Sequence, residues 1–360
     1  MKTYKILCFA LYGEQAASNR VRLGQYKEEL YSSGLELKIN SLLINEYIVA
    51  LSNKTSLPFL KLLRSFFERI KLLLFSQEYD LLIVHCELFP FLPGWVEQLL
   101  LRKPYIYDFD DAFYLKYSSG KYRLLKPFLG SKFKRIIKNA SFITAGNKNL
   151  ANYAKKYNPN VIILPSVVDT NIYYKKDRKP NSCFTLGWIG SPSTAIYLEK
   201  LVKPLASLGK KIPLKLIIVG AQGPSIQNVI VESIPWSLED EVDLINQFDV
   251  GLMPLNDDEW SRGKCAYKLI QCMACEVCVI ASPVGSNVDV VNDSSGFLAE
   301  SDQDWYDGLF KLSQDISLRE KLGKASANRI MQNYSLQTNK PLLINAISKA
   351  IHISKNEKEY

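Results

Sequence analysis

The sequence predicts an α/β protein made of two doubly wound, Rossmann-like halves in series, and three observations carry that prediction. The chain has 360 residues, of which 47% are apolar, which is long for one domain and enough to fill two cores. Short β-rich runs alternate with amphipathic stretches along most of its length, the pattern of a parallel sheet covered by helices. The alternation stops once, in the polar segment Asp169 to Asn181, which includes Lys175-Lys176-Asp177-Arg178-Lys179-Pro180, and then restarts. That break reads as a linker.

In the first half, strands are expected at Tyr4 to Ala10, Leu35 to Ile39, Leu81 to His85, Tyr105 to Asp108, Ser141 to Thr144 and Val161 to Leu164. Between them, Arg20 to Leu30, Leu57 to Phe75 and Asn147 to Tyr157 read as helices. In the second half, strands are expected at Phe184 to Ile189, Leu214 to Val219, Val229 to Val231, Val250 to Met253, Val277 to Ile280 and near Gly296 to Leu298. Helices over Leu318 to Gln332 and Gln337 to Ile353 close the chain. The domains implied are 1–170, 182–335 and a terminal helical segment, 336–360, that can cross back to the first domain. Doubly wound sheets bind ligands at the carboxyl ends of their strands, so two of them favour a two-substrate cleft.

A net charge of +9 suits nucleic acid, an anionic membrane or a phosphorylated small molecule. The cations are dispersed, and the chain has no zinc-finger spacing and no RNA-binding signature, which argues against nucleic acid. The densest mixture of basic and apolar residues runs from Lys61 to Phe75. Its wide apolar stripe is expected to face the core; its flanking cations leave an anionic lipid surface as the alternative. With no signal peptide and no apolar run long enough to span a bilayer, the expected location is the cytoplasm, with peripheral attachment to the inner face of a membrane as a variant. Cys272, Cys275 and Cys278 have iron–sulfur or zinc spacing. They divide between a helix read over Lys264 to Cys275 and a buried strand, so they are expected to be structural and metal-free.

Two segments carry chemistry. In Leu186-Gly187-Trp188-Ile189-Gly190-Ser191-Pro192-Ser193-Thr194 a strand ends at a glycine and hydroxyl residues precede a helix. Gly190 lets a ligand approach the backbone, and the amides of the helix start can seat phosphate. Ser191, Ser193 or Thr194 can equally serve as helix caps. With no G-x-G-x-x-G and no Walker A motif, a dinucleotide oxidoreductase and a P-loop enzyme are disfavoured. In the second segment a buried strand ending at Met253 leads through a charged loop to Arg262, Lys264 and Lys268. Lys264 and Lys268 are expected to share a helix face, where two like charges favour a bound anion such as a diphosphate.

The run from Phe248 to Gly285 resembles the donor-binding core of retaining glycosyltransferases of the GT-B fold, family four (group 1). Similar correspondences fall at Ile189 to Thr194, at Asp108-Phe-Asp-Asp-Ala-Phe113 and at Pro165 to Asp169. The resemblance implies GT-B architecture, a UDP- or GDP-sugar donor, a glycan or lipid-linked acceptor in polysaccharide biosynthesis, and retention of configuration. The two glutamates of the family's donor site fall on Gly263 and Gln271, while Glu276 and Cys278 stand where glycine and proline are usual. Lys268 matches a phosphate-binding lysine, and the segment with Trp236 is implied beside the nucleotide base. Asp110 takes the place of a histidine that faces the reacting sugar. Asp110 and Asp111 are therefore the catalytic candidates, with a helix or turn cap as the other reading of both. Ser18, Arg20 and His85 are acceptor-side candidates, His85 chiefly as a core or supporting residue. Gly190, Ser191, Ser193, Thr194, Trp236, Arg262, Lys264, Lys268 and Gln271 form the expected donor site. No cofactor or metal is expected, because lysines and amides can neutralise the diphosphate. A sugar-nucleotide epimerase on the same frame and a non-catalytic nucleotide-sugar-binding subunit remain the alternatives.

Overall fold

A computed structural model describes the chain apart from Met1, Lys2, Lys54, Ser119, Lys179 and residues 357–360. The chain divides into two units, one of residues 1–166 and 339–360 and the other of residues 167–338.

The first unit contains β1 (Tyr4–Tyr12), β2 (Leu35–Leu43), β3 (Leu81–His85), β4 (Tyr105–Phe109), β5 (Phe142–Ala145) and β6 (Val161–Ile163), in the order β2-β1-β3-β4-β5-β6. Every pairing is parallel. β3 and β4 are buried throughout, as strands covered on both faces must be, and their predominantly apolar runs made them legible. Strand order reverses between β1 and β3, the point at which connections leave in opposite directions and open a crevice at the carboxyl ends.

The second unit repeats the plan with β7 (Phe184–Ile189), β8 (Leu214–Val219), β9 (Ile230–Ile234), β10 (Val250–Met253), β11 (Cys278–Ala281) and β12 (Gly296–Leu298), ordered β12-β11-β10-β7-β8-β9. These pairs too are parallel, and the order reverses between β7 and β10. One side of the sheet packs Leu186, Trp188, Leu216 and Ile218 against Trp305 and Leu309. The other packs Ile189, Ile217 and Val219 against Phe248, Leu269 and Met273.

The segment read as a linker is part of the second unit. Tyr173 is buried, Lys176 donates its backbone N–H to Asn246, and Arg178 pairs with Asp249 at 2.6 Å. Its polar residues bond to Asn246, Gln247 and Asp249 just before β10, an interior strand, so lack of apolar periodicity did not mean a free tether; Lys179 within it lies outside the described residues. The terminal helix Leu336–Asn356 begins in the second unit, and from Asn339 onward its residues belong to the first, where Lys340 pairs with Glu29 at 2.7 Å.

Two further local differences from the sequence reading matter. The helix expected from Lys264 begins only at Tyr267, because Ala266 has φ 54° and its left-handed backbone breaks the turn. Lys264 and Lys268 therefore do not share a helix face. That helix, Tyr267–Ala274, ends in a Schellman arrangement: the N–H of Val277 bonds to Cys272 O and that of Glu276 to Met273 O. Glu276 has φ 56°, the backbone that glycine adopts freely, at the position where the family resemblance expects glycine.

Candidate functional site

In the second unit, the carboxyl ends of β7 and β8 meet at Gly190 and Gly220. Gly190 donates its N–H to Val219 O at 2.9 Å, and Gly220, with φ 85°, donates to Ile234 O at 2.8 Å. A Cβ on Gly190 would lie 2.4 Å from Lys268 Nζ and 2.7 Å from the Trp188 ring, so this glycine makes room for a lysine. Lys268 lies over Trp188, its ammonium 4.0 Å from the ring centroid, and donates to Thr194 Oγ1 at 3.0 Å. Three predicted donor-site residues, Gly190, Thr194 and Lys268, thus meet within one contact of each other, although 74 positions separate Thr194 from Lys268.

The helix that follows, Pro192–Leu201, is a 3₁₀-helix, and no side chain bonds its first amides. The capping role open to Ser191, Ser193 and Thr194 is not taken: Ser191 and Ser193 hydroxyls pair with each other at 3.0 Å, and Thr194 Oγ1 donates back to Ser191 O. Pro192 has no N–H and that of Thr194 donates to Ser191 O at 2.9 Å, so the Ser191 and Ser193 amides are the ones at this helix start that can receive an anion.

The remaining basic residues divide. Arg262 makes a two-bond contact with Asp257, at 2.7 and 2.9 Å, on an exposed helix turn. Lys264 holds its ammonium 6.0 Å from the Tyr197 ring centroid. Of the three cations expected together, Lys268 is the one placed at the Gly190 turn by direct contacts.

Gln271 is buried and serves a network that sequence reasoning missed. Its amide nitrogen donates to Glu241 Oε1 at 2.8 Å and to Tyr173 Oη at 3.3 Å. Glu241, itself 3% exposed, also accepts from Tyr173 Oη and from Trp236 Nε1. A buried carboxylate requires such donors, and these three join Trp236, Gln271 and the former linker into one assembly. Trp236 also packs 3.2 Å from where a Gly220 Cβ would stand, so it borders the same strand-end turn. Glu241 was invisible beforehand because it opens an ordinary acidic helix turn, with no motif around it.

In the first unit, a second polar cluster fills the switch point between β1 and β3. His85 ends β3, is fully buried, and is in register with Asp108 on β4. Its Nδ1 lies 2.7 Å from Asp108 Oδ2 and its Nε2 2.7 Å from Ser18 Oγ. Ser18 also donates to Asp110 Oδ1 at 3.1 Å. A hydrogen-bonded line therefore runs Asp108–His85–Ser18–Asp110, from a buried carboxylate to a half-buried one. Burial alone would raise the Asp108 carboxyl, but Arg22, at 2.5 Å, and His85 outweigh it and hold it well below the usual carboxylate range. Thr144 adds a further bond to Asp108 at 2.5 Å.

Cys86 also borders this cluster, with φ 65° and Sγ 3.6 Å from Asp110 Oδ1. Burial, reinforced by Asp110 and Asp108, pushes its thiol well above the ordinary range. Among the described residues, His85, Cys86 and Asp110 are the one group whose ligand atoms lie close enough to share a cation. The in-line partner of Nε2 is already Ser18, and Nδ1 belongs to Asp108. Asp111 is half-buried, and its carbonyl accepts the N–H of Phe113 at the loop after β4. Arg20 donates to the backbone carbonyl of Gln15. Cys272 and Cys275 sit on the helix Tyr267–Ala274 and its end, and Cys278 on β11. Burial pushes the thiols of Cys275 and Cys278 up to about 12, the state of inert core cysteines.

Residues 184–315 match the family model described as Glycosyl transferases group 1. No curated protein matches the chain by sequence. Among solved structures, the chain is similar to Anabaena Alr3699/HepE in complex with UDP-glucose, at 15% identity and TM-score 0.72, covering 96% of this chain and 99% of that one. Sucrose-phosphate synthase from Thermosynechococcus elongatus gives 15% identity and TM-score 0.68 over 99% and 98% of the two chains. A glycosyltransferase from Rickettsia africae gives 13% and 0.67 over 98% and 99%. Two parallel six-stranded sheets with this likeness define the GT-B fold. The family match lies over β7 to β12, the sheet that carries the Gly190 turn, and the chain is a glycosyltransferase.

Proposed function

We propose that the chain transfers a sugar from a UDP- or GDP-sugar to a hydroxyl of a glycan or lipid-linked acceptor, with retention of configuration, in polysaccharide biosynthesis. The observation that carries this reading is the convergence of Lys268 and the Thr194 hydroxyl on the uncapped helix start after Gly190, within the segment that matches the transferase family. A diphosphate seated there meets backbone N–H groups, a helix-start dipole and one ammonium. Those are the groups that stabilise the charge growing on a departing nucleoside diphosphate. Lys264 adds positive field at longer range, whereas the charge of Arg262 is offset by its pair with Asp257.

Trp236 offers a flat face for the base, and the Glu241–Gln271 pair fixes the wall beside it. In this reading Gln271 holds Glu241 in place, and ribose recognition does not depend on its amide. Metal has no step to perform, since Lys268 and the amides supply the charge.

Asp110 would orient the acceptor hydroxyl. Ser18 and His85 stand behind it and set the direction of its hydrogen bonds: Ser18 has one hydroxyl hydrogen, which goes either to His85 Nε2 or to Asp110. Asp111 lies beside it as a second acceptor-side carboxylate. Retention follows if the leaving phosphate takes the acceptor proton on the face it departs from, a step that needs no protein nucleophile. Peripheral contact with an anionic membrane would serve the lipid-linked case.

Time-dependent release of UDP or GDP from a panel of nucleotide sugars, with and without added acceptor, tests the reading. Donor-specific release that rises with acceptor supports transfer. Interconversion of the sugar without release of nucleotide would point to an epimerase, and binding without turnover to a subunit.

A further inference from the structure

The helix Phe59–Leu74 is turned inside out relative to an ordinary covering helix. Its inward face is polar at its centre. Arg69 is fully buried and donates to Ala10 O at 2.6 Å, Leu88 O at 2.8 Å and Asn40 O at 2.6 Å, while its Nε donates to Asn40 Oδ1 at 2.8 Å. Ser65 donates to Leu42 O at 2.7 Å. These bonds fix the helix rotation, and beside them Phe66 packs against Phe89 with ring centroids 5.8 Å apart and Arg69 lies over the Phe9 and Phe89 rings. The opposite face carries Leu60, Leu63, Phe67, Ile70 and Leu74, spaced by three and four residues, all exposed, with Leu60 at 79% and Phe67 at 66%. Phe59 and Phe75 extend the exposed apolar surface at the two ends. The stripe expected to face the core is therefore divided: Leu73 is buried and Leu62, Phe66 and Leu72 are half-buried, while Leu60, Leu63, Phe67, Ile70 and Leu74 face outward.

We infer that this face is a docking surface for an anionic lipid bilayer, with the helix lying in the plane of the interface. Charge complementarity selects that occupant. By helical spacing Arg64 and Lys71 border the stripe and Lys61 lies beyond them, within a chain of net charge +9; Lys61 and Arg64 pair with Glu46 and Glu68 at 2.9 Å, exposed contacts of little energy that lipid phosphates can replace. From Leu60 to Leu74 the stripe is about 21 Å long at 1.5 Å per residue, enough for five large side chains to enter the acyl boundary side by side. No helix among the described residues is long and apolar enough to cross a membrane, so the contact is parallel to the surface. The assignment extends the proposed function only where the acceptor is lipid-linked; docking itself needs neither donor nor acceptor.

The test is flotation of the full chain with phosphatidylcholine vesicles, with and without phosphatidylglycerol. Binding is expected with the anionic lipid, falling at high salt, and little with phosphatidylcholine alone. Leu63→Asp combined with Phe67→Asp should lower partitioning about a hundredfold, roughly tenfold for each large apolar side chain removed, with the unfolding midpoint unchanged because both positions are exposed. Lys61→Gln with Arg64→Gln and Lys71→Gln should weaken only the anionic-lipid component. Failure of the folded wild type to bind anionic vesicles overturns the inference. So does binding that the double aspartate variant retains, or a solution dimer that this variant abolishes, which would make a second copy the occupant. Nucleotide-sugar binding measured without lipid should be the same in all variants; its absence would count against the proposed function and leave the docking result standing.

Discussion

Replacing Gly190 with alanine probes the donor turn without removing any functional group. An added Cβ would lie 2.4 Å from Lys268 Nζ and 2.7 Å from its Cε, whereas ordinary contact begins at 3.4 Å. The ammonium must therefore retreat by about 1 Å or swing away, and either movement breaks its 3.0 Å bond to Thr194 and its seat over Trp188. Overpacking of this kind costs about 1–3 kcal/mol, and the flexible end of a lysine keeps the stability cost near the low end. The larger effect falls on ligand affinity. A hydrogen bond from a charged group is worth about 1.5–3 kcal/mol, so nucleoside-diphosphate affinity should fall by roughly ten- to a hundredfold. Calorimetric titration with UDP, GDP and their sugars, beside thermal unfolding, reads both quantities. The decisive comparison is a double-mutant cycle. In a Lys268→Ala background, Gly190→Ala should cost little further affinity, because the displaced group is already gone. Additive losses, or a stability loss with unchanged affinity, would refute the claim that Gly190 exists to position Lys268.

Other expectations follow from single contacts. Glu276→Gly should raise the unfolding midpoint: it relieves a left-handed backbone worth about 1 kcal/mol and gives up only a partly exposed pair with Lys175 at 3.2 Å. A lowered midpoint would show that the Schellman turn does not strain this residue. Asp110→Asn should keep the fold and donor affinity but slow transfer about a hundredfold, measured at saturating donor; unchanged transfer would make Asp110 a structural residue of the β4 loop.

Much of the fold was legible because strands in a doubly covered parallel sheet are short, predominantly apolar runs. β3, β7, β8 and β10 begin and end where the sequence indicates. The Gly190 turn was legible too, since a strand, a glycine and a hydroxyl cluster are contiguous. What could not be read were features made by distant partners. Glu241 is 68 residues from Tyr173 and 30 from Gln271, and Arg22 meets Asp108 across 86. Lys264 was misplaced because nothing in its side-chain pattern signals the left-handed Ala266. The helix Phe59–Leu74 shows a different limit. Periodicity reveals that a stripe exists but not which side the sheet occupies, and backbone carbonyls that satisfy a buried Arg69 carry no sequence signal.

The account turns on Lys268 as the cation that holds the donor diphosphate. Titration of wild type and Lys268→Ala with a panel of UDP- and GDP-sugars measures that directly. At least one nucleotide sugar should bind the wild type, and the variant should bind it with about 2–3 kcal/mol less free energy, roughly thirty- to a hundredfold weaker, while unfolding at nearly the same temperature without ligand. Equal affinity in the two proteins would contradict the account, leaving Lys268 a surface cation resting on Trp188 and the donor site elsewhere.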